Sequence, residues 1–147
     1  MKLVTILFSL LLLTATKECG SDKTADASEM KKEITEGMSG NYDVTMVGDN
    51  DYSEYDITMN IDMGKENKIS GKSACNNYSG SFKNPKENQV EMGMMMSTKM
   101  YCKETSKIES DYLNHLSKVA SVNPTKDGME LMNKEGEVII VAVKQKQ

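Results

Sequence analysis

Two stretches of the chain alternate apolar and polar residues with a period of two. Tyr42, Val44 and Met46 alternate with Asp43 and Thr45 from Gly40 onward, and Tyr55, Ile57, Met59, Ile61 and Met63 alternate with Asp56, Thr58, Asn60 and Asp62. A strand with one face on a core and one in water has this pattern, so both stretches are predicted strands. Between them, "GDNDYSE" is acidic enough to raise the question of a calcium loop. It lacks the ligand spacing of an EF-hand and its bidentate glutamate, and reads as a solvated hairpin connection without a metal. "GKENK", residues 64 to 68, predicts a turn, and Ile69 begins a third strand that runs into "SACNNYSG", residues 73 to 80. Gly80 stands where that strand needs a bulge or a left-handed residue.

The period changes after Cys102. Ser106 followed by Glu109 has the form of a capping box, and Ile108, Tyr112, Leu116 and Val119 then share one face at helical spacing with Leu113 beside them. The spacing predicts a helix from Ser106 to Val119. His115 lies at the edge of the apolar stripe with no acid or nucleophile recognised beside it, and reads as a boundary residue rather than a catalytic base. Asn123-Pro124 ends the unit. "GMELMNKEGEVIIVAV" predicts a closing hairpin that turns at Asn133 to Gly136, and its run Val138 to Val143, apolar on both faces, belongs in the middle of a sheet. The tail "KQKQ" is a solvated end.

Composition narrows the function classes. The chain has 147 residues, 38% of them apolar, enough for one domain. Its 18 basic residues are all lysines, set against 22 acidic ones for a net charge of −4. Without arginine forks or a basic run, nucleic acid is not an expected partner. There are 13 methionines and no tryptophan. The cluster "MGMMMSTKMYC" after Val90 could be read as a soft-metal site, since thioethers take copper(I) or silver. Its spacing repeats no ligand pattern, so the expectation is core filling by an adaptable side chain, with no cofactor and no metal.

The N-terminus places the protein. Lys2 precedes an apolar stretch from Leu3 to Leu13, too short for a comfortable membrane span, and this is an export signal. Residues 1–18 are read as signal peptide and 19–37 as a flexible linker, with the folded domain over 38–147. Cys19, followed by polar "GSDKTADASE", is the expected lipidation site, which makes the membrane a partner through an N-terminal lipid anchor. Lys17 and Glu18 are poor residues before such a cysteine. The alternative is a secreted soluble protein cleaved near Ala25-Asp26-Ala27.

The order of two blocks then carries a resemblance. Gly71, Cys75-Asn76, Tyr78, Gly80 and Phe82 come first, and Ser97-Thr98-Lys99-Met100 with Cys102 come second; next are a helix containing Glu109, Tyr112 and Leu116, and a last hairpin. Over about residues 38 to 143 this resembles the META domain of the HslJ-like family. The resemblance implies an α+β fold, a small, mostly antiparallel β-sheet or partial barrel packed against one α-helix. It also implies an exported bacterial protein, often a lipoprotein, with no established enzymatic activity, and some relatives are linked to heat or antibiotic stress. Gly71, Asn76, Tyr78, Gly80, Ser97, Thr98 and Met100 are then structural motif residues. The chain departs from the pattern at Gly40-Asn41-Tyr42, where the family usually has tryptophan, and at Tyr101, where a small residue is usual.

For Cys75 to act as a nucleophile it would need a base and an orienting group, and neither is in view. "SACNNYSG" therefore reads as a corner, with asparagines bonding to the backbone at a bend, Tyr78 and Phe82 turned inward, and Cys75 as its anchor. If Cys19 takes lipid, Cys75 and Cys102 are left to bond to each other in an oxidising compartment. Two buried free thiols are the alternative. The expectation is a non-enzymatic cell-envelope lipoprotein with no catalytic residue. The second reading is a binding module that helps or inhibits another exported protein through a sheet edge or a methionine-lined groove.

Overall fold

The computed structural model describes residues 37–146. The export signal, Cys19 and the linker up to residue 36 lie outside the described residues. Among the described residues, nine strands and one helix run in the order β1 (Gly40–Val47), β2 (Asn50–Asp51), β3 (Thr58–Asp62), β4 (Asn67–Ser73), β5 (Asn76–Lys83), β6 (Glu91–Ser97), α1 (Ser106–Leu116), β7 (Ser121–Pro124), β8 (Gly128–Met132) and β9 (Val138–Lys144). They form one antiparallel sheet in the order β6-β5-β4-β3-β1-β9-β8-β7, with the short β2 pairing back onto β1. The two ends of the sheet meet just before β6, where Val90 N–H donates to the Ala120 carbonyl at 2.9 Å and Val122 N–H to the Asn88 carbonyl at 2.8 Å. The sheet is thus a curled half-barrel with one helix, the α+β class expected.

The alternating strands explain the core. Tyr42, Val44, Met59, Ile61, Ile69, Tyr78 and Phe82 turn to the inner face, where Ile108, Tyr112 and Leu116 of α1 meet them. Burying a side chain of this size stabilises by roughly 1.5–3 kcal/mol relative to leaving it exposed. The expected central strand is β9, paired with β1 on one side and β8 on the other, with Ile139 and Ile140 both buried.

Three local expectations do not hold. Thr45 is an extra residue in β1 against β9, because pairing passes from Val44↔Ala142 to Met46↔Val141. This bulge turns Val47, rather than Met46, into the core. The second alternating stretch enters the sheet only at Ile57, which bridges to Ser73, and β3 proper begins at Thr58. Tyr52 and Tyr55 form a turn instead, with Tyr55 N–H on the Tyr52 carbonyl at 2.9 Å and Tyr55 exposed.

The helix differs at both ends. It stops at Leu116, after which the N–H groups of Lys118 and Val119 bond back to His115 and Leu116 in tighter turns that keep Val119 buried. At its start the N-cap is Thr105, which makes no side-chain capping bond, so the Ser106/Glu109 capping box does not form. The Glu109 carboxylate is engaged by Asn76 instead.

Candidate functional site

Most of the motif residues converge where the β4–β5 hairpin, the segment after β6 and the first turns of α1 meet. The hairpin turns at Ala74-Cys75, between the paired residues Ser73 and Asn76, with Ala74 at a φ of 71°. Ser73 Oγ donates to the Asn76 carbonyl at 2.8 Å and closes the bend. The Asn76 side chain is buried and uses its whole hydrogen-bonding capacity. Its amide donates to Glu109 Oε2 at 2.8 Å and to the Met100 carbonyl at 3.2 Å. Its carbonyl accepts from Met100 N–H at 2.7 Å and from the Thr98 hydroxyl at 2.8 Å. A buried amide satisfied on every side stabilises and specifies the fold, whereas leaving any of these groups unpaired costs free energy. Beside it a disulfide joins Cys75 to Cys102, 27 residues apart in sequence with Cα atoms 6.1 Å apart. The free-thiol alternative is set aside, and the Cys75 sulfur is a crosslink rather than a nucleophile.

A second layer lies beneath this knot. Gly71 pairs with Tyr78 across β4 and β5, and a Cβ at Gly71 would overlap the Thr58 carbonyl and come within 3.1 Å of the Tyr78 hydroxyl. The absent side chain lets that hydroxyl donate to the Thr58 carbonyl at 3.0 Å. The Tyr78 and Tyr112 hydroxyls lie 2.6 Å apart, with the two rings edge to face at 5.5 Å. Burial pushes both phenols well above the usual tyrosine range; for Tyr78 the bond to Tyr112 acts in the opposite direction. Buried neutral hydroxyls of this kind join strand to helix.

The remaining motif residues sit apart from this pair of layers. Gly80 does not adopt a left-handed conformation, and it lies against Met95 and the Met94 carbonyl. The bulge beside it belongs to β6, where Gly93 and Met94 together face Ser81, between the pairs Phe82↔Met92 and Gly80↔Met95. Ser97 ends β6 opposite Tyr78, and its hydroxyl reaches only the adjacent Thr98 carbonyl. Met100 enters the knot through its backbone, and nothing in the structure explains its side chain. Cys19 lies outside the described residues.

The methionine cluster corrects the expectation of core filling. Met92 and Met95 turn partly inward, but Met94 is 82% exposed, Met96 64% and Met100 59%, with Tyr101 beside them at 86%. The physical reason is strand position, since β6 is a terminal strand of the sheet and pairs along its length with β5. Among the described residues no helix packs over its outer face to cover the alternate residues. Exposed apolar side chains on an unpaired edge are a recognised docking surface.

His115 also differs from its expected isolation. Its Nδ1 lies 3.2 Å from Asp111 Oδ1 one helical turn earlier. Asp111 Oδ2 accepts from the Tyr52 hydroxyl at 2.8 Å, and the His115 ring backs against Gly48, whose φ of 55° makes the tight β1–β2 turn. The pair clasps that hairpin to α1. The i, i+4 spacing of Asp111 and His115 was the available signal for it. Among the described residues no group of three or more His, Cys, Asp or Glu side chains is arranged to hold a metal, and no helix is long and apolar enough to cross a membrane.

Comparison with known proteins gives two findings. The family model described as META domain matches residues 33–146. Among solved structures, an "NMR structure of the protein from Burkholderia xenovorans" is similar with a TM-score of 0.60 and 20% identity, covering 78% of this chain and 88% of that one. At that identity the likeness concerns the fold alone. No curated protein matches.

Proposed function

The chain belongs to the META-domain family, and on that premise we propose that it is a non-enzymatic component of the cell envelope, lipid-anchored through Cys19, that acts by offering β6 to another exported protein. The observation that carries this reading is the exposed group of Met94, Met96, Met100 and Tyr101 on and just beyond a terminal strand. Unbranched thioether side chains adapt to partners of different shape, and an open strand edge supplies backbone donors and acceptors for an added strand. The knot around Asn76 supports the non-enzymatic part. Its polar groups are committed to one another and its cysteine is bonded, so the signature residues serve to hold the hairpin, the post-β6 segment and the helix together. A role in heat or antibiotic stress is suggested only by what is seen in some members of the family.

A photoreactive residue at position 94, compared with one at Glu130 on β8, tests the binding surface in intact cells. The expected result is a crosslinked partner from position 94 alone, lost when Met96 is also changed to Lys while the unfolding midpoint stays unchanged. Equal crosslinking from both positions, or none from 94, refutes the surface. Anchoring is read separately: Cys19→Ser should release the domain from the membrane fraction.

A further inference from the structure

The chain enters the domain at Gly37, and the elements that meet it there are the β7–β8 turn and the end of β9. Met38, Tyr42 and Pro124 together with Lys126 and Lys144 line an open hollow of about 340 Å³ at this point. Its inner side is apolar, since Met38, Tyr42 and Met129 belong to the core. Its two lysines are exposed, and among the described residues neither lies in an ion pair.

Charge is distributed unevenly between the two ends of the half-barrel. Residues 37–146 hold 13 lysines and 16 carboxylates, a formal −3. Seven of those lysines lie at the end where the chain enters: Lys65 and Lys68 around the β3–β4 turn, Lys83 and Lys86 at the end of β5, Lys126, Lys144 and Lys146. Asp43, Asp62, Glu66, Glu87, Glu91 and Asp127 are the six carboxylates there, Glu91 being paired with Lys83 across β5 and β6, which leaves that end at +1 and the rest of the domain at −4. Asp43 is itself held by the Gln145 side chain at 2.5 Å. Such a molecule turns its positive end toward a negatively charged surface and its negative end away.

The geometry points to this end as a docking face for anionic phospholipid headgroups, with a headgroup phosphate between Lys126 and Lys144 and the apolar inner side of the hollow toward the glycerol and first methylenes. The inference rests on the lipid-anchored reading, because a tether that joins the domain at this end already holds it near a bilayer. Attraction too weak to recruit a free protein at physiological salt, though strong enough to do so at low salt, then suffices to orient a tethered one. Screening limits the interaction to groups within about 8 Å of the surface at physiological salt, so an upright domain feels the lysine end far more than the acidic end. β6 runs away from this end, and Met100 and Tyr101 come to face the aqueous side.

The test is lysine acylation, read by mass spectrometry, of the lipidated full chain in vesicles of phosphatidylcholine with or without phosphatidylglycerol. Lys126 and Lys144 should label about threefold or more slowly in the phosphatidylglycerol vesicles, and the protection should vanish at about 0.5 M salt. Lys103, Lys107 and Lys134, at the other end, should label equally in both. Equal labelling of Lys126 and Lys144 in the two vesicles overturns the inference. If the mature protein carries no lipid it will not float with either vesicle at high salt, and the anchor reading alone fails. Cosedimentation of that soluble form with phosphatidylglycerol vesicles at low salt then decides the docking face. Binding that Lys126→Glu with Lys144→Glu abolishes, at an unchanged unfolding midpoint, supports it, and absence of binding overturns it.

Discussion

Asn76→Asp changes one buried atom from a donor to an acceptor, and the two partners of that atom set the cost. The new carboxylate keeps the oxygen that accepts from Met100 N–H and Thr98, but the atom 2.8 Å from Glu109 Oε2 now faces it as a second acceptor, and the Met100 carbonyl loses its donor at 3.2 Å. A hydrogen bond to a charged group contributes roughly 1.5–3 kcal/mol and a neutral one about 1 kcal/mol, so with like-charge repulsion added the loss should reach about 3–5 kcal/mol at pH 7. Glu109→Gln in the same chain reverses donor and acceptor at that contact. It should return about 2 kcal/mol, leaving the Met100 carbonyl unpaired. Two carboxylates at this separation bind a shared proton more tightly than an isolated acid, so the single variant should recover relative to the wild type as the pH falls below about 5. Urea denaturation of the wild type, both single variants and the double variant, at pH 7 and at acid pH, gives the coupling energy directly. Additive losses with no acid recovery would refute the account of Asn76 as the neutral donor that anchors α1 through the Glu109 carboxylate.

Gly71→Ala puts a methyl group into the Thr58 carbonyl and against the Tyr78 hydroxyl, and should cost about 3 kcal/mol or more in chemical denaturation, whereas a surface-like loss of a few tenths would contradict the close approach of β3 and β4. Reduction of the Cys75–Cys102 bond opens a loop spanning 27 residues and should lower stability by about 3.5 kcal/mol on the chain-entropy estimate; thiol counting on denatured, unreduced protein should find neither cysteine free. The phenols of Tyr78 and Tyr112 are raised above their unfolded value, so the folded state keeps its full stability below about pH 10 and loses it as the pH rises through and beyond the unfolded pKa. Unfolding measured from pH 8 to 11 should show that loss, and Tyr78→Phe, which removes one of the two phenols, should flatten it.

The strands and the helix were legible because alternation and helical spacing report which residues share a face. They do not report whether a face is covered. Met94 and Met96 have the same local texture as Met59 and Met129, yet the first two stand on a terminal strand and the last two lie in the core. Only the strand order separates them. The Thr45 bulge was illegible for a related reason, since one inserted residue leaves the composition of β1 unchanged while moving Val47 inward. Ser106 and Glu109 satisfied a local rule for a helix start, but a carboxylate bonds to the best donor in reach, and Asn76 is brought to Glu109 from 33 residues away by the sheet. The knot's membership was in view as a string of motif letters. Its geometry depends on contacts too distant in sequence for spacing to encode.

The two rims of the sheet differ in a way that limits what this protein can assemble into. β7 is four residues long, ends in Pro124 and already gives its outer side to Asn88 and Val90, so it offers no ladder to a newcomer. Among the described residues the outer side of β6 stays open, but the extra residue at Gly93-Met94 bends it. Growth by repeated strand addition requires every subunit to present both a donor rim and an acceptor rim. Among the described residues one of the two rims is closed by the fold itself, so copies joined rim to rim through these strands cannot propagate as a chain.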